Sequence, residues 1–272
     1  MEEEEEEATT LIQNEKKWKG IEFPLSHFQK VCQFHIECGV NIPKEEQRNI
    51  LTENPKLVQE AFNFIKEECN EYLKGLREDD KIEQLDGLVD TSYVVLRLCA
   101  LIGSNMDKLE YEHKHEWKPK TLKDLEIRTN STTVSIHNLI EDQLVEMDKC
   151  IRERDYDLLV RSLYDLEYIV KRIGSILLRE KGTKKITRPE DSWMYWEEAF
   201  DCIHNNNMSK LCDSEEEAIK TVNEKYKDDP LYKTVTYRKA PDNKHWVVYD
   251  KDRQKVLKSY KWVQVDLSHF LM

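Results

Sequence analysis

Acidic residues that share helix faces are the part of this sequence best suited to chemistry. Residues 64–93 read FIKEECNEYLKGLREDDKIEQLDGLVDTSY, and the spacing of the apolar residues predicts two helices joined by a short turn. Three glutamates fall within roughly one quadrant of the first helix, and three acids stand at i, i+3 and i+7 of the second. These carboxylates are Glu67, Glu68, Glu71, Glu83, Asp86 and Asp90. The two helices are therefore predicted to present their acids to one shared site.

Carboxylates on two facing helices favour a site for a divalent cation. Mg²⁺ prefers hard oxygen ligands and keeps several of its waters, and Mn²⁺ is an alternative. The second acidic set borders the almost wholly apolar segment 94–102, where buried carboxylates are costly unless a cation compensates their charge. Such a cation suits the hydrolysis of a nucleotide anhydride, because it neutralises phosphates and supplies a nucleophilic water. We predict Glu68, with Glu67 beside it, as the carboxylate that orients or deprotonates this water.

Two other interpretations of these acids stay open. The first is a solvated acidic surface, because 54 of the 272 residues are Asp or Glu. The closeness of the two sets, their single faces and the apolar neighbour favour a metal site, whereas the acidic run 215–217 lacks these features and is predicted to lie on the surface. The second is a di-iron bundle, which takes a Glu-x-x-His pair from each of two helices. Glu110 and His113 form such a pair, but no pair occurs on another helix, which weakens this interpretation.

Three residues outside the acidic hairpin are candidates for nucleotide contacts. Asn207 and Lys210 belong to the string NNNMSK, which follows an aromatic helix predicted over 193–204, and a lysine is a compact charge suited to phosphate. His35, on a helix predicted from Leu25 onward, is a candidate for contact with a base. Each also has an ordinary structural interpretation, since a loop lysine usually lies on the surface and a helix histidine usually lies on the surface or in the core.

The elements that position these residues are predicted to be mainly α-helical. Gly and Pro number only seven each and 35% of residues are charged, which favours long amphipathic helices. Helices are predicted to start at Ser26, with Gly39 ending the first, and at Asn54-Pro55. A small antiparallel β appendage is predicted at the C-terminus from alternating segments at 233–239, 245–249 and 251–258, with a turn at Asp242-Asn243.

A second helical hairpin, predicted over 136–152 and 156–178, echoes the first. LVRSLYDLEYIVKRIG aligns with QLDGLVDTSYVVLRLC at a shift of 75 residues, so that Asp165 matches Asp90. The echo lacks the acids, because Arg161 stands where Asp86 does and Gln143 where Glu68 does. The sequence therefore predicts a helical bundle built from a duplicated hairpin, with one competent metal site and one structural copy.

Four segments follow from this organisation. Residues 1–20 form a disordered acidic N-terminus, and 21–118 form the first repeat with the intact carboxylate site. Residues 119–212 form the degenerate second repeat that ends in NNNMSK, and 213–272 form the small α+β appendage.

Charge and cysteine usage narrow the possible partners. The formal net charge of −12 and the pI of about 5.3 argue against a nucleic acid or an anionic membrane as a partner. The seven cysteines show no CxxC pairing and are expected to be reduced thiols. The longest apolar run is too short to span a bilayer, and no leader resembles a signal peptide. We expect a soluble, cytoplasmic protein.

Three strings together resemble the all-α nucleoside triphosphate pyrophosphohydrolases, a superfamily that includes MazG, the dimeric dUTPases and phosphoribosyl-ATP pyrophosphohydrolase. They are FQKVCQFHIECGVNIP, LDGLVDTSYVVL, and EEAFDCIHNNNMSKL followed by YRKAPDNKHWVVYDKDRQKVLKS, and they are most similar to the phage-type branch of phosphoribosyl-ATP pyrophosphohydrolase-like proteins. The resemblance implies that the first-helix glutamates bind Mg²⁺ with Asp90 and either Glu83 or Asp86, and that Asn207 and Lys210 approach the phosphates. One departure is Gly87, which stands where the superfamily's ExxD motif has a glutamate.

The leading hypothesis is a Mg²⁺-dependent hydrolase that converts a nucleoside or deoxynucleoside triphosphate to the monophosphate and pyrophosphate. The alternative is a non-catalytic nucleotide-binding or scaffold protein on the same bundle. The superfamily usually builds its bundle from two subunits, so the chain is expected to be a monomer with fused repeats or a homodimer.

Overall fold

A computed structural model describes residues 17–18, 21–22, 24–113, 133–181, 189–252 and 255–271. The described residues are mainly helical, as predicted. Their α-helices are α1 His27–Glu37, α2 Ile50–Glu53, α3 Pro55–Glu78, α4 Lys81–Leu101, α5 Met106–His113, α6 Thr133–Glu153, α7 Tyr156–Lys181, α8 Pro189–Met208 and α9 Glu215–Lys220. A π-helical turn, Thr221–Lys225, continues α9, and a 3₁₀ turn covers Ser268–Phe270. The strands are β1 Lys17–Trp18, β2 Ile21–Glu22, β3 Val235–Lys239, β4 Trp246–Asp250 and β5 Lys255–Val256.

Local capping explains where the helices around the acidic hairpin begin. Ser26 caps α1 in a reciprocal capping box with Gln29. Asn54 caps α3 ahead of Pro55, by accepting a hydrogen bond of 3.3 Å from the backbone N–H of Leu57. Asp80 caps α4 by accepting from the N–H groups of its first turn. The starts predicted at Ser26 and at Asn54-Pro55 are confirmed. They could be predicted because each depends on residues close in sequence.

Two helical hairpins form the centre of the bundle. In the first, α3 packs along α4, and in the second, α6 packs along α7. Helix α4 packs against α7, and α1 and α8 pack beside them. Helix α4 is apolar on nearly all its faces because neighbouring helices bury it on most sides. One continuous hydrophobic core joins these helices.

The C-terminal sheet is antiparallel in the order β3-β4-β5, as predicted. Asn243 adopts a φ of 59° in the predicted turn. The sheet is not a separate appendage, because Val247 of β4 and Phe270 belong to the same core as the helices. Cys212, just after α8, also exchanges two backbone hydrogen bonds with Trp246, of 2.8 and 2.9 Å. The sheet is thereby fixed beside the end of α8.

Some elements differ from the prediction. Helix α8 continues through Met208, so most of NNNMSK is helical rather than following a helix. Helix α5 covers a segment predicted only as charged and histidine-rich. The segment 1–20, predicted to be disordered, lies outside the described residues except for Lys17–Trp18, which form β1. Residues 114–132 and 182–188 also lie outside them.

None of the described helices combines the length and the apolar character needed to cross a lipid bilayer. All seven cysteines are free thiols.

Candidate functional site

A cleft with a volume of about 600 Å³ contains nearly all of the predicted site residues. It lies between the α3–α4 hairpin, α1, the end of α8 and the C-terminal segment. The predicted residues that line it are His35, Glu67, Glu68, Glu71, Asp86, Asp90, Asn207 and Lys210. Glu83 does not line the cleft, although its charge raises the pKa of both Glu71 and Asp86. Residues from both ends of the chain thus meet in one site.

Close packing of α3 and α4 brings the acids of the two helices together. A Cβ atom placed on Gly87 would lie 2.6 Å from the backbone nitrogen of Tyr72, so any larger residue would push the helices apart. The hydroxyl of Thr91 donates a hydrogen bond of 2.7 Å to the carbonyl of Gly87. The glutamate of the superfamily motif has no room at this position. Gly87 is therefore a packing residue, and the neighbouring acid is Asp86.

Burial and mutual repulsion raise the pKa of four of the cleft acids, Glu68, Glu71, Asp86 and Asp90. Burial, followed by the charge of Asp90, raises the pKa of Glu68 to about 8. Burial and the charge of Asp86 raise the pKa of Asp90 to about 7, and burial raises that of Asp86 to about 6. A divalent cation would reverse these effects, because it favours the ionised carboxylates. A cluster of carboxylate oxygens that repel one another fits a hard cation such as Mg²⁺.

The acids are spread along their wall of the cleft. Within the described parts of the chain, the one group of three ligand atoms that lie within 4.8 Å of one another is Glu37, Asp242 and His245, at the β3–β4 turn. A Mg²⁺ ion that keeps several waters needs only one or two direct carboxylates, so the wider spacing of the cleft acids suits it.

Four cations also line the cleft, one on α4 along the same face as Asp86 and Asp90, one just after α8, and two in the C-terminal segment. They are Arg97, Lys210, Lys255 and Lys258, and none of them forms an ion pair with a carboxylate in the described portion of the chain. Burial lowers the pKa of both Arg97 and Lys210. Sequence reasoning identified only Lys210. Arg97 could have been predicted from the sequence, because a cation within an apolar helix costs free energy unless it has a partner. Nothing in the sequence around Lys255 and Lys258 indicates that they belong to a site.

Lys210 is held in place by Asn207. Its ammonium donates a hydrogen bond of 2.5 Å to the amide oxygen of Asn207, which is itself buried in the last turn of α8. The two residues therefore act together at the cleft wall. Asn207 orients the lysine, and the lysine carries the charge.

His35 is buried in the cleft wall as a neutral imidazole. Burial lowers its pKa well below the ordinary value, and the charges of Arg97 and Lys210 lower it further. Its Nε2 atom has no hydrogen-bond partner among the described residues. A neutral ring with a free nitrogen is suited to a hydrogen bond with an uncharged part of a ligand.

The second repeat lacks an equivalent site. Asp165 and Gln143 lie outside the cleft, and each leaves one buried oxygen without a partner in the described region. Burial raises the pKa of Asp165 to about 6, and the charge of Arg161 opposes that rise. Glu110, the candidate di-iron ligand, is paired with Lys171 at 3.0 Å, which argues against that interpretation. The side chain of His113 lies outside the described residues.

The fold defines a mainly α-helical bundle with a three-stranded antiparallel sheet near its C-terminus. The chain is 30% identical over 241 residues to the uncharacterized protein L479 of Acanthamoeba polyphaga mimivirus, a match that spans 86% of this chain and 91% of the viral protein. The chain belongs to the same family as that viral protein. No protein-family model matches the sequence, and no solved structure matches it significantly.

Proposed function

We propose that this chain is a Mg²⁺-dependent hydrolase that converts a nucleoside or deoxynucleoside triphosphate to the monophosphate and pyrophosphate. The observation that carries the proposal is the charge arrangement of the cleft. Among the described residues, five acids without ion-pair partners line the wall formed by α3 and α4, namely Glu67, Glu68, Glu71, Asp86 and Asp90. In the same part of the chain, three lysines without a carboxylate at ion-pair distance line the other walls, and Arg97 lies further along α4. A complex of Mg²⁺ with a polyphosphate has complementary charges, because its metal suits the carboxylates and its phosphates suit lysine and arginine.

The acids of the cleft divide into ligands and a base. The carboxylates of Glu67, Glu71, Asp86 and Asp90 are the candidate ligands, and Mg²⁺ bound there supplies charge neutralisation and a polarised water. Glu68 is the candidate base, because it lines the cleft between the candidate ligands, and a bound cation would favour its ionised, proton-accepting form. Glu83 contributes through its charge from outside the cleft lining.

The reaction requires one bond to form and one to break. The water oxygen attacks a phosphorus of the triphosphate, the P–O anhydride bond breaks, and pyrophosphate leaves. The proton of the water passes to Glu68. Lys210, oriented by Asn207, lies on the wall where it would stabilise the negative charge of the phosphates.

Purified protein given a panel of ribo- and deoxyribonucleoside triphosphates with Mg²⁺ tests the proposal. We expect pyrophosphate and monophosphate from at least one nucleotide, and a fall in kcat of about 100-fold or more in Glu68→Gln. The matched control is Asp165→Asn, which changes an equally buried acid outside the cleft and should keep the activity. Absence of pyrophosphate from every nucleotide, or full activity in Glu68→Gln, would overturn the proposal.

The second candidate function is nucleotide binding without turnover. The spread of the cleft acids favours it, since three ligand atoms do not come within 4.8 Å of one another there in the described residues. It predicts that nucleotides with Mg²⁺ raise the Tm of the protein while no product forms. Thermal denaturation and product analysis on the same samples separate the two functions.

A further inference from the structure

The C-terminal segment lines part of the cleft with residues that the acidic hairpin alone would not provide. Lys255, Lys258 and Trp262 line it from β5 and the chain just beyond it. The segment is fixed to the end of α8 by two hydrogen bonds, from the amide of Asn206 to the carbonyl of Val263 at 2.7 Å and from the hydroxyl of Ser259 to the carbonyl of Ser209 at 3.0 Å. Its lysines are therefore held beside Lys210 rather than on a free tail.

The cations of the cleft gather without a carboxylate at ion-pair distance among the described residues. The Lys255 ammonium lies 5.8 Å from the centre of the Phe64 ring, and the Arg97 guanidinium lies 5.1 Å from the same centre. Burial, and after it repulsion from Lys258 and Lys255, lowers the pKa of Lys210, and that of Lys258 is lowered by burial and by Lys255. Like charges at such close range are unfavourable in the free protein, and a bound polyanion would compensate them.

Trp262 fixes the position of Lys258. The Lys258 ammonium lies 3.6 Å from the centre of the Trp262 ring, the geometry of a close cation–π contact. The carbonyl of Lys258 also accepts a hydrogen bond of 3.0 Å from the hydroxyl of Tyr226. Lys258 faces Asp86 and Asp90 across the cleft, and their charges favour its protonated form. A ligand between them would contact the carboxylate wall on one side and this lysine on the other.

We propose that Lys255 and Lys258, with Trp262 as a positioning residue, form a phosphate clamp that makes the cleft selective for triphosphates over monophosphates. The clamp rests on the proposed function, because it names the part of the site that recognises the phosphate chain. A monophosphate carries too few phosphates to reach both the acidic wall with its cation and the C-terminal lysines. A triphosphate can contact both walls at once.

Binding measured by calorimetry with a non-hydrolysable α,β-methylene triphosphate, its monophosphate and inorganic tripolyphosphate, each with Mg²⁺, tests the clamp. The Lys255→Met/Lys258→Met variant should bind the triphosphate and tripolyphosphate about tenfold more weakly, with less than a twofold change for the monophosphate. The control is Lys244→Met, which changes an exposed lysine outside the cleft. Lys258→Arg keeps the charge and should bind the triphosphate nearly as tightly as the native protein, whereas Lys258→Met should not. Circular dichroism verifies that each variant is folded.

Trp262→Leu tests the positioning role. It should weaken triphosphate binding as Lys258→Met does, and the two changes together should weaken it no further than either one, because both act through the same ammonium. Additive losses would show that Trp262 acts independently and would overturn its assigned role.

The outcomes separate the clamp from the proposed function, because the analogue is not hydrolysed. Tight triphosphate binding by the native protein, with equal losses for mono- and triphosphate or none in the double variant, would overturn the clamp alone. Absence of triphosphate binding by the native protein would overturn both.

Discussion

Ser92 donates a hydrogen bond of 2.8 Å to Glu167 in the buried contact between α4 and α7. The two residues are 75 positions apart, which is also the shift that aligns the two repeats. A residue that contacts its own counterpart is the arrangement expected at a local two-fold axis. The predicted duplication would place such a contact between the two copies, of which the first carries the acids.

Ser92→Ala should destabilise the protein by about 1–3 kcal/mol, because it removes one of the two donors to a buried oxygen of Glu167 and leaves the Lys171 ammonium, at 3.3 Å. Urea unfolding followed by circular dichroism measures the change. Ser175→Ala is the control, since that buried hydroxyl bonds only to the carbonyl of Lys171 on its own helix. An equal loss of unfolding free energy in the two variants would mean that the hydrogen bond between Ser92 and Glu167 stabilises the protein no more than one within a single helix.

Mg²⁺ should stabilise the protein more at pH 8.5 than at pH 5.5. The pKa values of Glu68 and Asp90 are raised to about 8 and about 7, so the folded protein binds more protons than the unfolded chain between pH 4 and these values. Its stability without metal therefore falls as the pH rises through that range, and the penalty is fully present above pH 8. Thermal denaturation with and without Mg²⁺ at the two pH values measures the difference.

The Glu68→Gln variant tests whether the buried carboxylate causes this pH dependence of stability. Glu68→Gln removes one buried charge, so at pH 8.5 without metal it should be more stable than the native protein by about 1 kcal/mol, or about 2–4 °C in Tm. At pH 4, where the native Glu68 is protonated, the two proteins should have the same Tm. A lower Tm for the variant at both pH values would contradict the assigned cause.

Gly87→Ala should destabilise the protein by about 1–3 kcal/mol and weaken Mg²⁺ binding. The added Cβ would lie 2.6 Å from a backbone nitrogen of α3, so the two helices must separate and their acids with them. Urea unfolding and metal titration measure the two effects. The control is Asn70→Ala on the exposed face of α3, which should change neither property. Unchanged metal affinity in Gly87→Ala would show that the acids do not depend on this close packing.

Arg97→Met should raise the stability of the free protein while weakening nucleotide binding about tenfold or more. The guanidinium is largely buried, and Glu60, whose charge favours it, lies beyond ion-pair distance, so the cation costs free energy until a ligand compensates it. Arg77→Met, at the exposed end of α3, is the control for loss of positive charge. Reduced stability together with unchanged binding would indicate a structural role for Arg97.

The sequence alone was sufficient for the features that depend on neighbouring residues. The capping box of Ser26, the Asn54-Pro55 start of α3 and the turn at Asn243 are short-range, and they were predicted correctly. The six acids were also placed on their two helix faces, because helical periodicity fixes which residues share a face. The shift of 75 residues between the two predicted repeats was found in the sequence, and it equals the separation of Ser92 and Glu167, which form a hydrogen bond.

Tertiary packing alone decided the composition of the cleft. Glu83 shares the helix face of Asp86 and Asp90 yet lies outside the cleft lining, and Lys255 and Lys258 come from a segment predicted only as a strand. Their positions depend on how the sheet is fixed to α8 through Cys212 and Asn206, which are contacts between residues distant in sequence. Periodicity determines which side chains share a face, whereas the docking of one element on another determines which faces meet. The acidic wall was therefore predictable from the sequence, but most of the basic walls opposite it were not.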